Sequence, residues 1–236
     1  MGRETAMYVL HYAPDNASLI VRLALMELDQ PHRAVLVDRR VRAQDGAAYR
    51  RLNPNGLIPA LETPEGALFE TGAILLWLSE RHGALAPQPG DPARGDFLKW
   101  LFFVSNTLHA DARLAFYADR HAGQGADVAA FLAATQDRIA GHLALLDAMA
   151  ATRPAWFSPD VPSVLTLYVS CLLRWLALYP AETLGWLDLA RYPALHAVAA
   201  ATERRPSARQ AALIEGLGDT IFTAPSYACP PEGSAT

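Results

Sequence analysis

Apolar and polar positions follow two regimes along this chain. Up to about residue 82, short apolar runs alternate with turns; beyond that point apolar residues recur only at helical spacing. Met7 to Tyr12 reads as a short buried strand, followed by a turn at Ala13-Pro14-Asp15-Asn16. From Ala17 to Asp29, the residues Leu19, Ile20, Leu23, Ala24 and Leu28 predict a helix, and His32 to Val37 a second strand. An arginine-rich stretch from Asp38 to Arg51 reads as loop and short irregular helix. Asn53 to Leu61 leads into a strand, and Thr63-Pro64-Glu65-Gly66 is a tight turn before Ala67-Leu68-Phe69. A strongly apolar helix is expected over Thr71 to His82. The order β-α-β-(α)-β-β-α describes a small α/β sheet domain, here residues 1–83.

A linker at 84–91 follows, marked by Pro87 and Pro89, and Asp91-Pro92 has the chemistry of a helix start. Helices are expected over Pro92 to Arg120, Asp127 to Ala151, Ser163 to Leu178, Pro193 to Arg204 and Ser207 to Leu217. Residues 92–222 therefore form an all-α domain. The tail, 223–236, is rich in Pro, Ser, Gly and Ala and reads as loose or draped over the surface.

Composition narrows the class without changing this picture. The 236 residues are 52% hydrophobic and 19% charged, enough for a sizeable core. A net charge of −4 advertises no basic surface, so no nucleic-acid partner is expected. Met1 to Thr5 holds no secretory apolar run, and Arg174 interrupts the most apolar stretch, so no membrane partner is expected and the default address is cytoplasmic. Two cysteines, Cys171 and Cys229, make neither a disulfide framework nor a zinc site.

Two places carry candidate chemistry. Pro59 opens a strand after an Asn-Pro-Asn-Gly turn and an apolar residue. A cis Ile58-Pro59 bond would turn the Ile58 peptide groups outward to pair with an extended peptide; a trans proline would merely open the strand. Thr71 begins a helix, so its N–H and hydroxyl face outward, where a ligand carboxylate would be stabilised. Glu70 beside it would take an ammonium group; the alternative is an ordinary cap with an acidic neighbour.

Taken in order, these motifs resemble the glutathione transferases. Asn53-Pro-Asn-Gly-Leu-Ile-Pro-Ala-Leu61 is similar to that family's N-P-x-G-x-V/I-P-x-L loop, and Glu70-Thr-Gly-Ala-Ile74 to its helix start. Tyr192-Pro-Ala-Leu and Arg205-Pro206 look like its closing helices. The resemblance spans nearly the whole chain. It implies a thioredoxin-like N-terminal domain, an all-helical C-terminal domain, a homodimer, and glutathione as co-substrate gripped by Leu57, Ile58, Pro59, Glu70 and Thr71. The implied partner is a small apolar electrophile.

The chain looks most like bacterial, beta-class-like members, whose first turn reads roughly Y-x-P-G-A-C-S-L. Here it is Tyr12-Ala13-Pro14-Asp15-Asn16-Ala17-Ser18-Leu19, with Ala17 in place of the cysteine. A transferase must lower the pKa of the glutathione thiol, and alanine offers the thiolate no donor. Asn16, Ser18 and Tyr12, in that order, are the candidates to do so; each also has a purely structural reading. His109 resembles the beta-class histidine that reaches toward glutathione, although Phe102 and Ala110 replace the accompanying asparagine and lysine. A half-buried interface histidine is the alternative. One of Arg39, Arg40, Arg42, Arg50 and Arg51 would suit the glycine carboxylate. Phe103, Phe116 and Tyr117 would suit an apolar pocket, and Ser163 with Thr166 the cap of a core helix. His109, Asp111 and His121 match no ligand pattern, and no metal is expected. A non-catalytic binder or scaffold, or a glutathione-dependent peroxidase or isomerase, remains open on the same motifs.

Overall fold

A computed structural model of the chain describes residues 7–183 and 185–235. The expected extremes of the sheet domain and the tail, residues 1–6 and Thr236, lie outside the described residues, as does Leu184. Strand β1 (Tyr8–Tyr12) pairs parallel with β2 (His32–Leu36) and antiparallel with β3 (Ala60–Thr63), which pairs with β4 (Gly66–Phe69). The sheet order is β2-β1-β3-β4. A parallel β1–β2 pair needs a crossover, supplied by helix α1 (Ser18–Glu27). The β3–β4 hairpin is closed by the Thr63 hydroxyl, which donates to the Gly66 carbonyl at 2.8 Å.

Between β2 and β3 the arginine-rich stretch forms two short 3-10 turns, Arg39–Val41 and Ala43–Asp45, and helix α2 (Ala47–Arg50). Helix α3 (Thr71–His82) ends on Gly83 in the left-handed conformation, φ 67°. Beyond Phe69 the described residues hold no strand.

The helical part opens with α4 (Arg94–Phe103), which passes through a π-helical turn, Val104–Leu108, into α5 (His109–Phe116). Then come α6 (Ala118–His121), α7 (Val128–Ala151), α8 (Val164–Leu178), α9 (Pro193–Glu203) and α10 (Pro206–Glu215). Local chemistry explains most boundaries. Asp127 caps α7 by accepting from the Ala130 N–H at 3.0 Å, and Ser163 and Thr166 form a capping box on α8. The Asp91-Pro92 start is a correction. Asp91 instead folds a separate turn, accepting from the Ala93 N–H at 2.8 Å, and α4 begins at Arg94. The architecture is a thioredoxin-like sheet domain followed by an all-helical one. No described helix is long and apolar enough to cross a membrane.

Helix α1 is the element on which the two parts meet. Ser18 through Leu25 are all buried, because α1 packs against β1, α3, α8 and α10 together. That placement also buries Arg22, whose Nε donates to Glu215 at 2.7 Å. Burial raises the Glu215 carboxyl to about 7 against the pull of Arg22. Glu215 also accepts from the Asp15 N–H at 2.8 Å.

Beside it lies a fully buried ion pair. Arg174 donates from Nε and Nη2 to the two Asp15 oxygens at 2.8 and 2.9 Å. Its remaining N–H groups reach the carbonyls of Leu217, Ile221 and Ser226. All five guanidinium donors are thereby used. The tail, expected to be loose or draped over the surface, is held against the body by this and other contacts. Tyr227 donates to the Leu178 carbonyl, Cys229 N–H to Gly216, and Arg39 Nη1 to Ala235 at 2.6 Å.

Removing one partner of such a buried pair leaves an uncompensated charge. Asp15→Ala is expected to lower unfolding stability by about 3–5 kcal/mol, and Asp15→Asn, which keeps hydrogen-bonding oxygen, by less. Urea unfolding monitored by tryptophan fluorescence measures both. A loss below about 1 kcal/mol for the alanine variant contradicts this role.

Candidate functional site

A cleft of about 900 Å³ opens between the β1–α1 turn, the α3 tip and the α4–α6 wall. That volume is in the ordinary range for small-ligand sites. Leu57, Ile58, Pro59, Glu70, Thr71, Asn16 and His109 all line it. Ser18 and Tyr12 do not.

The Ile58–Pro59 bond is cis. The Leu57 carbonyl is held from behind, accepting from the Tyr49 hydroxyl at 2.6 Å and Asn53 Nδ2 at 2.7 Å. The Ile58 N–H and C=O make no hydrogen bond among the described residues. They are a free donor and acceptor on a cleft wall beside the start of β3, the arrangement an extended peptide can pair with.

Glu70 sits at the N-cap of α3 with φ 70°, a conformation that costs a non-glycine residue energy. Its carbonyl accepts the Ile74 N–H at 2.9 Å, while its side chain makes no hydrogen bond among the described residues. The N–H groups of Thr71, Gly72 and Ala73 have no intrahelical partner and face the cleft. Gly72 allows a close approach, since a Cβ there would stand a tight 3.2 Å from Ser105 Cβ and Oγ on the π-turn. The tip thus offers donors to an anion and a carboxylate to a cation.

At the other end lies the turn that Arg174 holds. Asp15 is in the left-handed region, φ 48°, with Trp175 Nε1 donating to its carboxylate at 2.7 Å. This presents Asn16, whose amide oxygen is buried without a partner. Gln44 Oε1 is likewise buried, unpartnered and at the cleft. Both amides are free to hydrogen-bond to a polar group entering the cleft. The N–H groups of Ala17 and Ser18, at the start of α1, also make no hydrogen bond among the described residues.

Two of the three thiol-activating candidates are corrected by this geometry. Ser18 is fully buried, its hydroxyl donating to the Ala13 carbonyl at 3.0 Å and accepting from the Ala13 N–H at 3.2 Å. Ala13 is itself buried, so its peptide groups require that partner. The Tyr12 hydroxyl donates to Glu232 of the tail, and Arg22 lies over its ring at 4.5 Å. Burial and the Glu232 carboxylate push this phenol up, away from thiol chemistry.

His109 follows the π-turn, a helix irregularity common at functional sites. Its Nδ1 lies 2.7 Å from the Tyr168 hydroxyl, and its ring packs against Trp175 at 6.1 Å. When Nδ1 accepts from Tyr168, Nε2–H remains as a donor. Burial, with Arg113 adding to it, lowers the imidazole to about 4. His109, Asp111 and His121 do not converge, because Asp111 accepts from Arg138 and His142 on α7.

Among the five candidate arginines, Arg39 alone lines the cleft, with Nη2 donating to the Tyr117 hydroxyl at 3.1 Å. Arg40 pairs with Asp38, and Arg42 and Arg50 with Asp45. Phe116 and Tyr117 line the cleft, whereas Phe103 packs on Trp100 and His142. The sequence reading missed Gln44, for which nothing local signalled a role. It also missed the Asp15–Arg174–Trp175 group, although an arginine inside an apolar helix was the available signal.

Residues 17–81 match the family model described as glutathione S-transferase, N-terminal domain. Over 144 residues, 59% of this chain and 68% of the relative, the chain is 33% identical to glutathione S-transferase GstB of Escherichia coli K12. The structure of a sphingomonad glutathione S-transferase complexed with glutathione superposes with a TM-score of 0.71 at 32% identity, covering 89% of this chain and 100% of that one. A bacterial beta class glutathione S-transferase of Sphingomonas chungbukensis does so with 0.69 at 28% identity, covering 88% and 98%.

His109, half-buried on the cleft wall with its ring desolvated, sets a pH expectation. A group whose folded pKa is lowered to about 4 is neutral throughout the neutral range. Its ring resonances in a proton–carbon NMR titration should titrate near 4, and move upward in Arg113→Gln. A midpoint near the ordinary histidine value of about 6.5 would contradict the enclosed ring.

Proposed function

We propose that this chain, which belongs to the glutathione S-transferase family, binds glutathione in the cleft and joins its thiolate sulfur to an electrophile with an apolar body. The observation that carries the reading is the convergence of three unpaired polar sets on one cleft. These are the Ile58 peptide groups, the Glu70–Thr71 helix tip, and the Asn16 amide beside the start of α1. Their order matches a tripeptide. The α-carboxylate of the γ-glutamyl end meets the Thr71 N–H and hydroxyl, and its ammonium meets Glu70. The cysteinyl peptide groups pair with Ile58, and the glycine carboxylate meets Arg39, with Gln44 alongside.

The sulfur then lies at the β1–α1 turn. The thiol gives its proton to solvent, and the thiolate accepts from the Asn16 amide and the Ala17 N–H, with the α1 dipole adding to both. Which atom of the Asn16 amide faces inward is set by the bound group, since oxygen and nitrogen exchange by a flip. Neutral His109 contributes an N–H donor to charge developing on the electrophile or leaving group. Catalysis comes from thiol ionisation and from holding the two reactants together.

Ala17, where the beta-class pattern has cysteine, places this chain beside that class rather than within its thiol chemistry. Dimerisation and the two-part division at 84–91 belong to the same reading, on family membership and the linker's composition.

The ultraviolet thiolate band of bound glutathione tests the reading near neutral pH. Asn16→Ala is expected to raise the apparent pKa of the bound thiol by about one to two, the value of a hydrogen bond to a charged group. Ser18→Ala should leave it in place. Tight binding without any thiolate band would instead make the protein a binder.

Affinity is tested separately by calorimetric titration with glutathione. Glu70→Gln removes the ammonium partner and should raise Kd roughly tenfold to a hundredfold. Unchanged affinity would put the γ-glutamyl end elsewhere.

A further inference from the structure

The helical wall of the cleft carries more positive charge than a single tripeptide requires. Ser105, Asn106, His109, Ala110, Arg113 and Phe116 line the cleft at helical spacing, and the stripe continues to Arg120 and His121. The carboxylates lining the same cleft, among the described residues, are Asp15 and Glu70. Asp15 is neutralised by Arg174, and Glu70 stands at the far tip by Thr71.

Arg113 and Arg120 form no ion pair among the described residues. The carboxylate two residues before Arg113, Asp111, is turned away to Arg138 and His142. Asp119, the neighbour of Arg120, lies outside the lining. Arg120 instead lies over the Tyr117 ring at 4.9 Å, and Arg39 holds that tyrosine's hydroxyl. Arg113 stands one helical turn beyond His109 on α5, and both line the cleft, which puts it on the side of the reacting centre. Guanidinium groups on a concave wall, with no carboxylate partner, focus a positive potential and offer a planar fork to a carboxylate.

We propose that the electrophile carries a carboxylate, or a group of like charge, gripped by Arg113 and supported by Arg120, on an apolar body lying against Phe116. This rests on the reading that the glutathione sulfur sits by Asn16 and His109. Four residues of helix separate His109 from Arg113, a rise of about 6 Å. One substituted ring, with its carboxylate opposite the reacting carbon, fits between groups so spaced. The class is therefore a compact aryl or alkenyl acid with its electrophilic carbon remote from the carboxylate.

The probe is para-chloro-meta-nitrobenzoate, with the corresponding benzamide as its neutral counterpart. In both, the thiolate sulfur bonds to the ring carbon bearing chlorine, and the carbon–chlorine bond breaks. Chloride leaves with the bonding pair, the thiol proton having gone to water. The readout is the ratio of kcat/KM for benzoate over benzamide, which cancels effects passing through His109 to both substrates alike. Arg113→Gln should lower that ratio at least about tenfold, while Arg113→Lys, which keeps the charge, should retain most of it. An unchanged ratio in Arg113→Gln overturns the inference. Calorimetry with glutathione alone separates the two levels. Absence of binding removes the functional reading and this inference together; binding with an unchanged ratio removes this inference only.

Discussion

A single guanidinium, that of Arg174, decides how the two halves of this protein meet. It is fully buried, and every one of its donors is used, two on Asp15 and the rest on carbonyls of the chain beyond α10. Burying such a charge is costly unless it is paired and fully hydrogen-bonded, so the pairing leaves little freedom to its neighbours. Asp15 is thereby fixed in a left-handed conformation, and the turn that follows points Asn16 and Ala17 into the cleft. Trp175, bonded to the same carboxylate, also forms one wall around His109. The sulfur end of the candidate site is thus built by a contact between the sheet domain and α8.

The opposite end is built differently. Glu70 and Thr71 depend on the α3 tip and on the close approach of Gly72 to Ser105, and Ile58 depends on the loop braced by Tyr49 and Asn53. These are mostly local devices. A site with one locally built end and one end built across the domain junction can keep its grip on a tripeptide backbone while its thiol chemistry changes. Ala17 is consistent with such a division: the residues proposed to bind keep the family-like pattern, and the position proposed to activate departs from it. The tail adds a third party at the mouth, where the Ala235 carbonyl meets the same arginine proposed for the glycine carboxylate.

How much could be read from the sequence follows the same split. The strands, α3 and the Ser163 cap were legible, and the Ile58–Thr71 grip could be proposed, because each is specified by residues a few positions apart. The Asp91-Pro92 start misled by two residues, since the aspartate can serve a turn as well as a helix. The activating residue was only partly legible. Asn16, Ser18 and Tyr12 look alike as nearby donors, and what separates them is distant. Ala13 claims the Ser18 hydroxyl, Glu232 claims the Tyr12 phenol, and only Asn16 is left unpartnered at the cleft. Arg39 could not be picked from five arginines without knowing which acids, Asp38 and Asp45, take Arg40, Arg42 and Arg50. The pairing of residue 15 with residue 174 left one trace, an arginine in an apolar helix.

The account stands or falls on where a bound tripeptide lies, and a crystal structure with glutathione soaked in measures this directly. It should show the cysteinyl peptide pairing with Ile58, the γ-glutamyl carboxylate on the Thr71 N–H, and the sulfur within hydrogen-bonding distance of Asn16 or the Ala17 N–H. Glutathione seated away from Ile58, or a sulfur directed at Ser18 or Tyr12, would contradict it.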